Sequence, residues 1–306
     1  MNILVIGGSG HVSGAVVWTA LSKKHKVWTV TRGQRPLQQG VISLIADRHD
    51  VKAMKEIIGQ QGVIWDLVVD CICYEPADML QDIELFRDRA RQFVFVSTDF
   101  VYDPALRRFP QPEDTEYYVA GGEGSLSYGG KKRRCELDLI NGDTGGMAWT
   151  ILRPCHIYGP TSQLGCLPMH GRDPELIKKL REGVPLKLVG GGHFLQQPIF
   201  VDDLGRTIVS VGGNKKACGK IFNMAGPDII ESRQYYQIIA DILEVGLDIE
   251  EISVTSYLAE NPGGRPFMCH RIYDLGALRA AGLVVPLTSI EDGLRLHVEG
   301  LIQLQK

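Results

Sequence analysis

Along this chain, short and nearly continuous apolar runs alternate with stretches in which apolar residues recur every three or four positions. The runs at 1–6, 26–31, 41–46, 67–71 and 93–96 have the length and the β-branched or aromatic content of buried strands. Between them Val12, Val16, Val17, Ala20 and Leu21 fall at helical spacing. Residues 51–58 do the same, as do Met79, Leu80, Ile83, Leu85 and Phe86 within 77–89. Strand and helix taking turns in this way predict right-handed βαβ units, and so an α/β fold with a doubly wound parallel sheet covered on both faces. Residues 103–124, with three prolines, several acids and Gly121, Gly122 and Gly124, read as a long surface loop. A helix follows over 128–140. Farther on the pattern is more broken, with short strands near 186–189 and 252–254, a helix at 204–211 and a strand at 221–224.

The glycines give the first strand a purpose. Ile3-Leu4-Val5-Ile6 runs straight into Gly7-Gly8-Ser9-Gly10-His11-Val12-Ser13-Gly14, and the helix begins after the turn. Glycines there let the backbone approach a dinucleotide pyrophosphate, and the unpaired N–H groups of the helix start face its charge. A Rossmann-type nucleotide-binding domain over 1–155 is the expectation. Residues 156–306 are then mainly a smaller, interleaved substrate-binding part, with segments near 199–224 returning to the first.

Composition narrows the classes. The 306 residues carry a net charge of -3, and the cations are scattered apart from Lys131-Lys132-Arg133-Arg134, so no basic field for nucleic acid is expected. Seven Cys include Cys71-x-Cys73 but no CxxC pair, which predicts neither a metal site nor a disulfide framework and fits a reducing cytoplasm. No run approaches the ~20 apolar residues of a membrane span, and no repeat or low-complexity tract occurs. A cytoplasmic protein with no membrane attachment is expected.

Polar residues at strand ends mark where ligands bind in such sheets. The second strand ends at Thr31-Arg32, where an acidic residue would favour a ribose 2′-hydroxyl. Arg32 would instead pair with a 2′-phosphate, so NADP is expected over NAD, the other reading being a solvated arginine. At the third strand end, Asp47 either accepts from the adenine amino group or starts the next loop. Ser97-Thr98-Asp99 after the fifth strand are site candidates, or caps of the following segment. Tyr128 and Lys132 lie one helical turn apart, so the ammonium can favour the phenolate and make Tyr128 an acid/base near neutral pH.

Taken together, the glycine turn, Ser97-Thr98, Tyr128-x-x-x-Lys132 and Leu152-Arg153-Pro154-Cys155-His156-Ile157-Tyr158-Gly159-Pro160 resemble the extended short-chain dehydrogenase/reductase superfamily of NAD(P)-dependent sugar epimerases, dehydratases and reductases. Phe200-Val201-Asp202-Asp203-Leu204, Phe222-Asn223-Met224-Ala225-Gly226 and the tail from Asp274 to Leu294 extend the likeness over nearly the whole chain. The resemblance implies that Thr98, Tyr128 and Lys132 are catalytic. It implies cofactor contacts at Gly7, Gly10, His11 and Val12, at Arg32, Asp47 and Arg48, and at Cys71, Lys132 and Pro154. Substrate contacts are implied at Asp99, His156, Gln196 and Arg265, and a homodimer through the helices at 77–89 and 128–140.

Three departures qualify what the family implies. Ser13 stands where its third glycine falls, which predicts slightly wider packing of helix on strand. Phe100 stands where sugar dehydratases carry a Glu; Phe cannot transfer a proton, which argues against water elimination and leaves oxidation, reduction or epimerisation. Gln196-Gln197-Pro198 replace an Arg that clamps a substrate diphosphate, leaving Arg265 as the remaining clamp of a nucleotide-linked sugar. His156, His170, Arg172 and His193 cluster in the variable region. The alternatives kept are a 4-keto-sugar reductase, a dehydrogenase of a non-nucleotide alcohol, and a non-catalytic cofactor sensor of the same fold; the intact Thr98, Tyr128 and Lys132 favour an enzyme.

Overall fold

The structure, a computed structural model, describes residues 1–120, 127–168 and 172–304; the expectations for residues 121–124 and His170 fall outside them. In chain order the first half forms β1 (Asn2–Ile6), α1 (His11–Ser22), β2 (Lys26–Thr31), β3 (Val41–Ile45), α2 (Val51–Gly59), β4 (Leu67–Asp70), α3 (Pro76–Phe86), β5 (Gln92–Val96), α4 (Tyr128–Asn141) and β6 (Ala148–Pro154). Next come β7 (Ile157–Tyr158), α5 (Leu176–Arg181), β8 (Leu186–Val189), β9 (Leu195–Gln196), β10 (Ile199–Phe200), α6 (Val201–Ser210) and β11 (Lys220–Met224). The chain ends through β12 (Ile230–Glu231), α7 (Ser232–Ile242), β13 (Ile249–Ile252), α8 (Val254–Glu260), α9 (Gly276–Ala280) and α10 (Ile290–Leu304).

Seven strands lie in the order β11-β6-β5-β4-β1-β2-β3, every neighbouring pair parallel. The order reverses between β1 and β4, which opens a crevice at the carboxyl ends of those strands. Side chains of a strand point alternately to its two faces. Ile3 and Val5 therefore enter a core with Val16, Val17 and Leu204 under α1 and α6, while Leu4 and Ile6 enter one with Trp28, Trp65 and Phe86 under α2 and α3. A third core, with Leu180, Leu188, Tyr235 and Leu294, holds α5, β8, α7 and α10 together. α6 lies so close to α1 that a side chain on Gly205 would reach within 2.8 Å of the Ala15 carbonyl oxygen.

Two local readings change. The strand predicted at 252–254 lies at 249–252, because the Ser253 side chain accepts from Ser256 N and starts α8 instead. The described part of the 103–124 stretch is stitched into the fold rather than lying loose. Gln111 is buried, donates its N–H to Ile272 O, and accepts at its own carbonyl from Asp274 N and Asn223 Nδ2.

A buried ion pair ties these layers at the end of the sheet. Arg153 on β6 donates from Nε and Nη2 to the two oxygens of Glu136 on α4 (2.9 and 2.8 Å), and Glu136 also accepts from Ser97 Oγ and Arg133 Nη1. Arg153 Nη1 donates to the Tyr102 hydroxyl, which donates to Asn223 Oδ1 on β11. Burial alone would raise the Glu136 carboxyl, but the Arg153 guanidinium outweighs it and holds the group below its ordinary value of 4.5. Glu136 thus contributes stability that is present above that value and is lost as pH falls through the lower folded one. Glu136→Gln should leave Arg153 buried without its counter-charge and cost about 3–5 kcal/mol, read as a lower urea midpoint with an unchanged slope, and the acid-side loss of stability should become shallower.

Candidate active site

The crevice begins at the glycine turn. Gly7 and Gly8 have φ of +105° and +138°, and a side-chain carbon on Gly8 would sit 2.7 Å from Thr29 Cγ2. Only glycine holds this conformation beside that neighbour. Gly10 N donates to Ser13 Oγ at 3.0 Å, so the serine in place of a third glycine turns its hydroxyl into the turn itself. The turn lines a cavity of about 380 Å³ together with Thr31, Arg32, Asp47 and Arg48, and with Arg35, His49 and Tyr74, which sequence reasoning passed over.

These side chains differ in what they can offer. Arg32 and Arg35 are exposed and make no ion pair among the described residues. Asp47 accepts from His49 N at 3.0 Å, which shapes the loop, and also forms part of the cavity wall. Arg48 differs from the expectation of a cofactor contact: its guanidinium turns inward to Asp70 (2.5 Å), Asp82 (3.1 Å) and Asp78 O (3.1 Å). Burial drives this, since Asp70 and Asp82 are fully enclosed and need a cation. Arg48 outweighs burial at Asp70 and holds its carboxyl below the ordinary value, whereas burial and the neighbouring Asp70 push Asp82 above it. Asp70, Cys73 and Asp82 offer ligand atoms within 4.8 Å of one another, but Arg48 already occupies their charge.

A second cavity, of about 660 Å³, adjoins the first through Tyr74, which lines both. Its wall brings together Thr98, Tyr128 and Lys132 with Asp99 and His156, and Val12, Cys71 and Pro154 complete the floor. Tyr128 is the first residue of α4, whose end is capped by Ser127 Oγ accepting from Gly130 N. The next residue, Gly129, sits on the 3₁₀ turn Asp99–Val101, where an added side-chain carbon would lie 2.2 Å from Phe100 O. Tyr128 is half exposed and meets the Phe100 ring edge-on at 6.3 Å, and the nearby Thr98 hydroxyl, which accepts from Phe100 N at 3.3 Å, favours its phenolate.

Lys132 is fully buried and donates from Nζ to Val96 O (2.6 Å) and Cys73 O (2.9 Å). The expected lowering of the Tyr128 pKa by Lys132 is not what the structure shows. Burial pushes the phenol up to about 12, with Tyr74 adding to the effect, while the lysine ammonium is engaged by carbonyls and is itself lowered by burial.

Asp99 also differs from a substrate-facing acid. Its carboxylate lies between the buried guanidinium groups of Arg107 and Arg271 and accepts from the Tyr273 hydroxyl. Those two arginines outweigh burial and hold it ionised, so it is a poor proton donor. Ser97, read as a site candidate, lines the same cavity and gives its hydroxyl to Glu136 behind it. His156 stays in the wall, its ring lowered to about 3 by burial and then by Arg172.

The other expected residues lie off these walls. His11 is lowered to about 4, again by burial and then Arg172, and its Nδ1 lies 3.0 Å from Thr161 Oγ1. Gln196 is buried with both amide atoms lacking partners among the described residues. Arg265 is exposed on the 3₁₀ segment Pro262–Phe267, and His193 pairs with Glu231 at the surface. Tyr74 and Phe267 were missed. Tyr74 follows the end of β4 by four residues, and that position was the available signal.

Comparison with known proteins bears on the fold and the family. The chain is 25% identical over 240 residues to the chloroplast stem-loop binding protein of 41 kDa b of Arabidopsis thaliana, covering 74% of this chain and 58% of that protein's length. It is 24% identical over 295 residues to the 2'-dehydrokanamycin reductase of Streptomyces kanamyceticus, covering 91% of this chain and 78% of the relative. The fold matches that of a UDP-glucose 4-epimerase from Thermotoga maritima, solved with UDP-glucose, at a TM-score of 0.78 and 20% identity over the whole of both chains. No helix among the described residues is long and apolar enough to cross a membrane. With residues 3–225 matching its model, the chain belongs to the NAD dependent epimerase/dehydratase family.

Proposed function

We propose that this protein is an NAD(P)-dependent epimerase or oxidoreductase acting on a sugar hydroxyl or keto group, with a nucleotide-linked sugar as the leading substrate class. One observation supports the reading: the Tyr128 phenol, the Thr98 hydroxyl and Lys132 line a single cavity that adjoins the glycine-turn crevice, with Tyr74 lining both. The crevice fits a dinucleotide, because Gly7 and Gly8 leave open the space that side chains would fill and α1 presents its N-terminus there. A nicotinamide bound in it supplies the acceptor or donor of a hydride.

The chain's own groups handle the proton and the alignment. In reduction Tyr128, a phenol that is protonated near neutral pH and whose pKa is raised further by burial, donates to the carbonyl oxygen as the carbon receives the hydride. In oxidation the phenolate takes the alcohol proton, so the rate should rise with pH. Thr98 hydrogen-bonds the reacting oxygen and holds it in line. Water elimination is disfavoured: Phe100 has no proton to transfer, and Asp99 is kept ionised between two arginines. Thr31 and the exposed Arg32 and Arg35 on the crevice wall support NADP over NAD. Arg265 stands outside the catalytic wall, so its expected role at a substrate diphosphate requires a substrate reaching past Phe267.

A homodimer through α3 and α4 is part of the same reading. Those helices pack side by side, with Leu80 exposed and Leu137 half-buried. Light scattering should then give twice the mass of one chain, and a monomer would remove the pairing. Arg32→Ala should weaken NADP binding by about 1.5–3 kcal/mol and leave NAD little changed in calorimetric titration; native protein that prefers NAD would count against the assignment. The decisive experiment is Tyr128→Phe. Hydride transfer to or from a panel of sugars and nucleotide sugars, followed at the nicotinamide absorbance, should drop about 10²- to 10⁴-fold with cofactor affinity retained, and product masses should show no loss of water. Full activity in the variant would overturn the catalytic reading, and cofactor binding without turnover in the native protein would favour a sensor.

A further inference from the structure

We propose that Arg172 binds an anionic group of the substrate, a phosphate or a carboxylate, and thereby sets specificity for acidic substrates. The inference rests on the reading of the second cavity as the reaction site. Three charged side chains line that cavity among the described residues: Asp99, Lys132 and Arg172. Two of them are committed elsewhere. The Asp99 carboxylate is shared by Arg107 and Arg271, and the Lys132 ammonium is held by the carbonyls of Val96 and Cys73.

Arg172 alone of the three is exposed, and it makes no ion pair among the described residues. Its charge is felt by His11 at the start of α1, by His156 in the link from β6 to β7, and by His297 on α10. Burial first, and for His11 and His156 this charge next, keep those rings neutral. No carboxylate on the wall is left to neutralise the guanidinium. A neutral sugar would leave it without a counter-charge, whereas an anion would gain charge-assisted hydrogen bonds there.

The rest of the wall suits a carbon skeleton. Phe100 packs against Phe267 at 5.5 Å, and Ile157 and Leu167 add apolar surface. The residues expected from sequence to meet a diphosphate lie elsewhere, Gln196 being buried off the wall and Arg265 exposed beyond it. A substrate that places its hydroxyl or ketone at Tyr128 and Thr98 can therefore cover the aromatic wall and present its charge to Arg172.

The test is calorimetric titration of the NADP-loaded protein with UDP and, separately, with D-glucuronate. Binding of UDP points to a diphosphate, and binding of glucuronate to a carboxylate. Arg172→Gln should weaken whichever probe binds by about 10- to 100-fold, Arg172→Lys should restore part of the loss, and an unchanged melting temperature shows that the fold is intact. Native protein that binds neither probe, equal affinity in Arg172→Gln, or a loss confined to Arg265→Gln would each overturn the proposal. Probe binding through Arg172 in a protein that turns over no alcohol or ketone would uphold the assignment and remove the catalytic reading. Turnover of acidic and neutral sugars alike, with the same KM for the acidic ones in native and Arg172→Gln protein, would do the reverse.

Discussion

The first turn of α4 rests on the backbone of the Phe100 turn, and it can do so only because residue 129 has no side chain. A carbon there would stand 2.2 Å from Phe100 O, far inside any contact that real atoms make. That close approach decides where Tyr128 begins the helix and how near its ring comes to Phe100. It also carries Lys132, one turn along, beneath the ends of β4 and β5, where Cys73 and Val96 supply its carbonyl partners. Glu136, one turn farther, then meets Arg153 and Ser97, so a single helix placement fixes both the reacting wall and the buried ion pair beneath it.

Much of this was legible beforehand. The continuous burial of β1, the break at Gly7 and the helical spacing after His11 each follow from residues a few positions apart, and the parallel sheet follows from their repetition. The convergence of Thr98, Tyr128 and Lys132 was legible for a different reason, since ligands in such sheets gather at strand ends and helix starts. What did not show was the direction in which charged side chains turn. Arg48 and Asp99 stand at strand ends like binding residues, yet their partners, Asp82 and Arg271, come from distant parts of the chain, and burial decides the pairing. Strand 249–252 was placed three residues late because the capping hydroxyl of Ser253 was not weighed against the apolar Val254 beside it.

The same economy of charge governs the rest of the interior. Arg48, Arg107, Arg153 and Arg271 are all largely or wholly buried as side chains, and each meets at least one carboxylate. Such pairs add little net stability over apolar packing, but removing one member is costly, so they fix arrangement more than they deepen the energy well. Here they fix the floor of the crevice and the back of the aromatic wall. The tethers of Gln111 to Ile272 and Asn223 extend that order to a stretch whose composition alone suggested a loose surface loop.

Tyr74 belongs to both cavities, and this has a thermodynamic consequence. If a ligand of one cavity shifts that ring, it changes the wall of the other, and the two occupants are then coupled. Whatever factor the first changes in the affinity of the second, the second must return to the first. With Lys132 5.4 Å from the same ring, the junction between the chambers is where such reciprocity would be set.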